Sequence, residues 1–500
     1  MAEPVTSKPP RPQYQHFIPR FVLRKFACEP PAAVAAPKTA STTKQKRKRK
    51  KNKGQNRPRN GFVKYYDIEN QTIETRLIAE VYGHINLYTL DCDNEGRDPN
   101  YIEVALAKLE GKAASICKRI QDAQQAGKST FSLSRAEKDD VLRKFLYIML
   151  YRSGIFRDKY YTNIEDYQGS DKPQIVDFMQ KKGFKTLKQV WAHHLRIILD
   201  TRIDVGGSWK NIVREEMAPD NATHYIERIT HCFLSVVQPE SDDDEFILTE
   251  NGFAIFEGNA SWNAPTGYQF YVYHCLAPIA PRLMLVLRDN MLRTDLKAKM
   301  KHMRQVGVRT GAMPQLPSLL EDLPVSPPKT SYSDGSQEFT ENDEFLFEIT
   351  KISKRHIHNM HGIMLSEARK SVSFLSSKSA AASVEYWLED RGTLPSRENP
   401  EYDMLIKLRQ RKRGMLALLR SDILEHPPGG HLGDVRVQKC GLLPLLQPDI
   451  RVHIPDSQLK ENQVIVRQMK LGEISHSEFP MSTFLILFRY IQKMLCSSCG

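Results

Sequence analysis

The stretch Gln15-His16-Phe17-Ile18-Pro19-Arg20-Phe21-Val22-Leu23-Arg24-Lys25-Phe26 places six apolar residues, one histidine and three cations in twelve positions. Pro19 suits the first turn of a helix, because its ring sets the backbone angle and its missing N–H would have been unpaired there. Ile18, Phe21, Val22 and Phe26 then recur at helical spacing and share one face. Arg20 and Arg24, four apart, share another. So short a helix is marginal alone in water and must dock onto a larger body. His16 precedes it, where irregular backbone is expected. Two roles are open to it: a packed histidine bonded to a carbonyl, or a general base or metal ligand.

The rest of the chain is long enough to supply that body. Its 500 residues can bury a large core. No apolar run reaches membrane-spanning length, so no membrane partner is expected. Met1 to Pro12 lacks the apolar core of a secretory signal. The eight cysteines are scattered, as expected for reduced thiols in the cytosol or nucleus. Cys496 and Cys499 alone form a C-x-x-C, which falls short of the four ligands of a structural zinc site. The net charge of +13 is concentrated: Lys44 to Arg59 carries ten Lys or Arg and no acid, leaving about +3 for everything else. Like charges at that density repel, so a disordered basic insert is expected over 28–60. Lys46, Arg47, Lys48, Arg49, Lys50 and Lys51 read as a nuclear localisation signal. The partner expected is an import receptor, with nucleic-acid phosphates as a second candidate.

Phe62 to Asp67 alternates and reads as a strand. A helix from about Tyr101 to Ala123 puts Glu103, Leu106, Glu110, Ala113 and Cys117 on one face. A carboxylate on a small-apolar stripe needs a cation, a metal or a raised pKa. Glu103 lies near the positive helix end, whereas Glu110 has no such excuse. Ser134 and Glu137 form a capping box opening a helix to Tyr151, and that helix carries Arg152 on its apolar side. Arg152 or Arg24 is therefore expected to pair with Glu110 or Glu103. Helices are expected over 171–182 and 186–201, strands over 246–249, 268–276 and 283–287, a disordered insert over 310–344, and helices over 345–374. His193 and His194 read as a surface and a core histidine. Within 391–500, an extension with a weakly ordered tail, Tyr402 to Glu425 reads as an amphipathic helix with Arg409, Arg411, Lys412 and Arg413 on its polar side. The fold class expected is α+β, predominantly helical with a small mixed β-sheet.

The opening stretch resembles the N-terminal signature of a family known as domain of unknown function 4238, roughly His-Tyr-Val/Ile-Pro-aromatic-Tyr/Val-Leu-Arg-x-Phe. Glu103-x6-Glu110 and Arg152-Ser153-x3-Arg157 are similar to that family's acidic helix and arginine-rich helix end. At Glu250-Asn251-Gly252 the family shows Asp-Asn-Pro, so a longer carboxylate and a glycine mark a departure. The resemblance covers about 13–390 with the two inserts. It implies shared positions and a fold, and no activity.

Walker, Rossmann, kinase, G-x-S-x-G and zinc-quartet patterns are not found in the sequence. Two functions are then expected to compete. In the first, a nuclear binding or regulatory protein, Arg20, Arg24, Glu103, Arg152, Arg157 and Asn251 belong to a polar network that fixes the helices or receives a partner. In the second, His16, Glu110 and Glu250 meet in a cleft and cleave phosphodiesters as general bases or with a metal. No cofactor signature is evident, and a divalent metal ion is the one cofactor that cleavage would draw on.

Overall fold

The structure, a computed structural model, describes residues 13–30, 61–88, 100–169, 171–263, 267–293, 318–333, 338–389 and 402–425. Three sheets run through it. A seven-stranded sheet has the order Lys329–Ser331, Glu344–Ile352, Cys232–Pro239, Leu283–Asp289, Gly267–Ala280, Ile255–Asn263, with Thr130–Ser134 also paired to Glu344–Ile352. A five-stranded sheet is built around Phe62–Asp67 and Ser371–Phe374. A two-stranded ribbon joins Tyr14–His16 to Gly83–Ile85. This is a mixed α/β architecture, which corrects the expectation of a mainly helical fold with one small sheet.

The reason lies in period and register. Glu344–Ile352 alternates, with Phe345, Phe347, Ile349 and Ile352 buried and Glu344, Leu346 and Glu348 exposed. That period of two is a strand pattern, yet the stretch was expected to be helical. Its parallel pairing with Cys232–Pro239 places it inside the large sheet. Phe62–Asp67, expected to share a sheet with 268–276 and 283–287, pairs elsewhere, with Ser371–Phe374 and Thr72–Leu77.

The helical expectations fared better where periodicity is strong. Helices span Tyr101–Gln125, Lys172–Lys182, Leu187–Asp200 and Tyr402–Glu425. The Ser134–Glu137 box is present: the Glu137 N–H donates to Ser134 Oγ, and Glu137 Oε2 accepts from the Ser134 N–H. The chain beyond it winds as a π-helix, Ala136–Arg143, before the α-helix Lys144–Tyr151. His193 and His194 are both buried, so His193 is no surface histidine.

The insert expected to be disordered over 310–344 is ordered in part. Residues 318–333 and 338–344 are described. Their backbone is held by polar side chains: Glu257 Oε1 accepts from the Leu319 N–H, and Asp343 accepts from the Ser333 and Thr340 N–H groups. Of the basic insert, Cys28 pairs with Phe62 in the five-stranded sheet. Residues 31–60, with the nuclear-signal residues, lie outside the described residues, as do 426–500.

The helix Tyr402–Glu425 packs onto the helix Ser377–Glu389 and onto Thr72–Leu77. Met415 and Leu419 are fully buried in a core cluster with Tyr66 and Trp387. Lys64 pairs with Asp422 at 2.6 Å, and the Tyr66 hydroxyl donates to the Arg411 carbonyl. Lys412, assigned above to the polar side, is instead fully buried. Its amine has no hydrogen-bond partner and lies 4.7 Å from the Trp387 ring centre. Burial and the Arg369 guanidinium push its ammonium pKa well down, against the pull of Glu250. The folded state therefore binds this proton less tightly than the unfolded chain does. The penalty is full below the lowered pKa, shrinks as pH rises above it, and is gone by the ordinary lysine value. Lys412→Met is expected to raise stability by about 1–3 kcal/mol at neutral pH, with the gain shrinking toward pH 10.5. Urea unfolding at neutral and alkaline pH checks this, and a destabilised Met variant would contradict it.

Candidate functional site

The opening motif builds one side of the site. Gln15 and His16 lie on a strand, not in irregular backbone, paired to His84 and Gly83. Gly83 is needed there: a Cβ would come 2.4 Å from the Tyr14 ring. Pro19 precedes a single helical turn, Arg20–Leu23, and its carbonyl accepts from the Val22 and Leu23 N–H groups. Ile18, Val22, Leu23 and Phe26 are fully buried, which docks the motif onto the helices.

His16 Nε2 lies 2.9 Å from the Ile78 carbonyl. A carbonyl only accepts, so Nε2 carries the proton and a neutral ring leaves Nδ1 as a bare acceptor. Burial lowers the His16 pKa. Arg20 and Arg152 lower it further, against the Ile78 carbonyl and Glu110. Gln15 is buried: its Nε2 donates to Glu103 Oε2 at 2.7 Å, and its Oε1 accepts from the Tyr88 N–H at 2.6 Å.

The second side comes from the end of the helix Lys144–Tyr151 and the residues after it. Arg152 Nη1 pairs with Glu110 Oε1 at 2.7 Å. Arg152 Nη2 lies against Met149 Sδ, and the same guanidinium acts on the Tyr88 hydroxyl. Burial, with Glu110 beside it, pushes the Tyr88 pKa up to about 12 against the pull of Arg152. Arg157 donates from Nε and Nη2 to Asp158 Oδ1, and its guanidinium lies 5.8 Å from the Phe17 ring and 6.0 Å from the Tyr161 ring. His16, Tyr88, Glu110, Arg152 and Arg157 thus form one electrostatically coupled group. Three side-chain atoms of Arg152-Ser153-x3-Arg157 are buried without a hydrogen-bond partner: Arg152 Nε, Ser153 Oγ and Arg157 Nη1. Such orphaned donors each cost about 1–3 kcal/mol in a buried setting.

Of the remaining candidates, Arg20 is near enough to act on His16, whereas Arg24, Glu250 and Asn251 lie elsewhere. Arg20 and Arg24 are exposed. Among the described residues no hydrogen bond or ion pair joins Arg24 to Glu103 or Glu110. Glu250 does not join His16: its Oε1 accepts from the Arg369 and Lys370 N–H groups at 2.5 and 2.9 Å, and its Oε2 from the Ser371 N–H at 3.1 Å. Asn251 Nδ2 donates to the Glu367 carbonyl. Gly252 has φ +58°, a left-handed conformation closed to proline, and a Cβ there would meet Ile18 at 3.3 Å. Glycine in place of the proline thus belongs to a turn packed on the opening motif. Among the described residues no group of three or more His, Cys, Asp or Glu could hold a metal ion.

The family model described as "Protein of unknown function (DUF4238)" matches residues 14–378. The chain belongs to this family. The DUF4238 match takes in every residue of the coupled group, Glu250 and Asn251, and stops short of the helix Tyr402–Glu425. No curated protein and no solved structure matches the chain.

Sequence reasoning overlooked Gln15, Tyr88 and Asp158. Gln15 stands in the quoted stretch, but its partners come from 73 and 88 residues away, so only the tertiary fold gives it meaning. It also overlooked a buried polar chain among the helices. There the Tyr151 hydroxyl meets Tyr160 and His194 Nδ1, Asn221 Nδ2 donates to the Tyr160 hydroxyl, and His194 Nε2 accepts from the Ala218 N–H.

Proposed function

We propose that this DUF4238 protein is a nuclear binding or regulatory protein whose domain is a non-catalytic scaffold. One observation supports it most: Glu103 and the two carboxylates nominated for chemistry, Glu110 and Glu250, already have internal partners. Glu103 accepts from Gln15, Glu110 pairs with Arg152, and Glu250 takes three backbone N–H groups. A general base must reach a substrate proton with a free acceptor, and committed carboxylates are better suited to fixing register.

A second reading, phosphodiester cleavage, draws support from one feature. His16 is held in a single tautomer by the Ile78 carbonyl, with Nδ1 left as an acceptor. The test incubates the full chain with labelled DNA and RNA, with and without Mg²⁺ or Mn²⁺. No cleavage above that of His16→Ala and Glu110→Gln is expected. Cleavage by the native chain, lost in both folded variants, would replace the scaffold reading with the enzymatic one.

The nuclear address rests on the unbroken cationic run Lys46–Lys51 and its density of charge. Deleting 44–53 from a fluorescent fusion is expected to abolish nuclear accumulation and binding to an import receptor. A fusion that still concentrates in the nucleus would remove this run as the address.

A further inference from the structure

We propose that Arg152, Ser153 and Arg157 form a binding site for a phosphate-type oxyanion. The inference rests on the binding reading above and names the class of ligand. These three side chains are 1%, 2% and 7% exposed, and each keeps one polar atom without a partner: Nε, Oγ and Nη1. All three can donate, and they come from one six-residue segment. Every oxygen of a phosphate can accept, and a guanidinium fork matches such an anion better than it matches water.

The protein's own carboxylates leave these buried atoms unpaired. Glu110 takes Arg152 Nη1, and Asp158 takes Arg157 Nε and Nη2. Each guanidinium is therefore anchored through one part of its fork and presents another N–H. Arg152 bonds the Tyr88 hydroxyl, which itself donates to the His16 carbonyl at 3.4 Å, and Arg157 lies 5.8 Å from the ring of the next residue, Phe17, so both arginines border the His16–Phe17 backbone. The charged or titratable groups nearby include His16, Arg20, His84, Tyr88, Glu110, Asp158, Tyr161 and Lys188. Phe17, half-buried, and Tyr161, 46% exposed, flank the Arg157 guanidinium and lead from it to solvent.

A phosphate could arrive free or as the terminal group of a nucleotide. Isothermal titration calorimetry of the full chain with inorganic phosphate, in phosphate-free chloride buffer, tests the site, and adenosine monophosphate separates the sources. Saturable phosphate binding is expected. Arg157→Gln is expected to weaken it about ten-fold or more, as for a lost charge-assisted hydrogen bond. Ser153→Ala, which deletes only a hydroxyl, is expected to weaken it less, and it serves should Arg157→Gln fail to fold. Equal affinity for both probes assigns the site to the free anion. Tighter nucleotide binding assigns it to an ester, with the nucleoside against Phe17 or Tyr161. The basic run would also attract phosphate, so the titration is repeated with Lys46, Arg47, Lys48, Arg49, Lys50 and Lys51 replaced by glutamine. Retained binding supports the site. No heat with either probe, binding lost with the basic run, or native affinity in both folded variants would overturn it. Nuclease activity with intact phosphate binding would instead overturn only the scaffold reading.

Discussion

Glu110→Ala is expected to destabilise the protein by about 3 kcal/mol, the low end of the range for removing one partner of a buried ion pair. Arg152 is 1% exposed, and its Nη1 is 2.7 Å from Glu110 Oε1. Taking away the carboxylate leaves a cation beside Tyr88, Met149 and His16, none of them an anion at neutral pH. Glu110 is 26% exposed, so water can enter the vacated space, which keeps the loss from being larger. The pair need not be stabilising as a whole, because apolar replacement of both partners is often neutral. Glu110→Ala with Arg152→Met is therefore expected to recover most of the loss. Equilibrium urea unfolding of the two single variants and the double variant gives the coupling directly. A loss below about 1 kcal/mol in Glu110→Ala would show that Arg152 does not depend on this carboxylate.

How much of this was legible in the sequence depended on the range of the interaction. The Glu103-x6-Glu110 stripe announced two carboxylates on one helix face, and Arg152 announced a cation on another. Their meeting follows from the plain cost of burying unpaired charge. The Ser134–Glu137 box is readable because it involves four consecutive residues. Lys412 was misplaced because its helix has apolar neighbours on more than one side. Periodicity separates one wet face from one dry face, and it fails where a second surface covers the helix. Glu250 was nominated for chemistry because it stands where the resembling family shows an Asp. Its three N–H partners belong to residues about 120 positions later, across the five-stranded sheet. The sheets themselves were underestimated for the same reason. Strand pairing is decided by register between distant segments, and a short apolar run does not disclose its partner.

Arg288 shows the strongest consequence of such hidden register. On three adjacent strands, Glu257 faces His274 and His274 faces Arg288, so a carboxylate, an imidazole and a guanidinium form one buried row. His274 Nδ1 and Ser318 Oγ lie 2.7 and 2.8 Å from Glu257 Oε2. The Arg288 guanidinium donates to the carbonyls of Leu292, Leu320, Glu321 and Leu323. Burial lowers its pKa to about 10, against Glu257, Glu321 and Asp322, so it stays cationic at neutral pH. The row clamps the segment Ser318–Leu323 onto the large sheet, where Leu320 and Leu323 are buried. Arg288→Met keeps bulk and removes the guanidinium donor from all four carbonyls, of which Leu320 and Leu323 keep only a backbone N–H. A loss of about 3–5 kcal/mol is expected. Arg288→Lys, with a point charge in place of the fork, is expected to recover only part of it. Hydrogen exchange adds the location: backbone amides of 318–325 should lose protection in Arg288→Met before the sheet does. Unchanged exchange there, with unchanged unfolding, would mean that the carbonyl contacts contribute nothing to holding this segment in place.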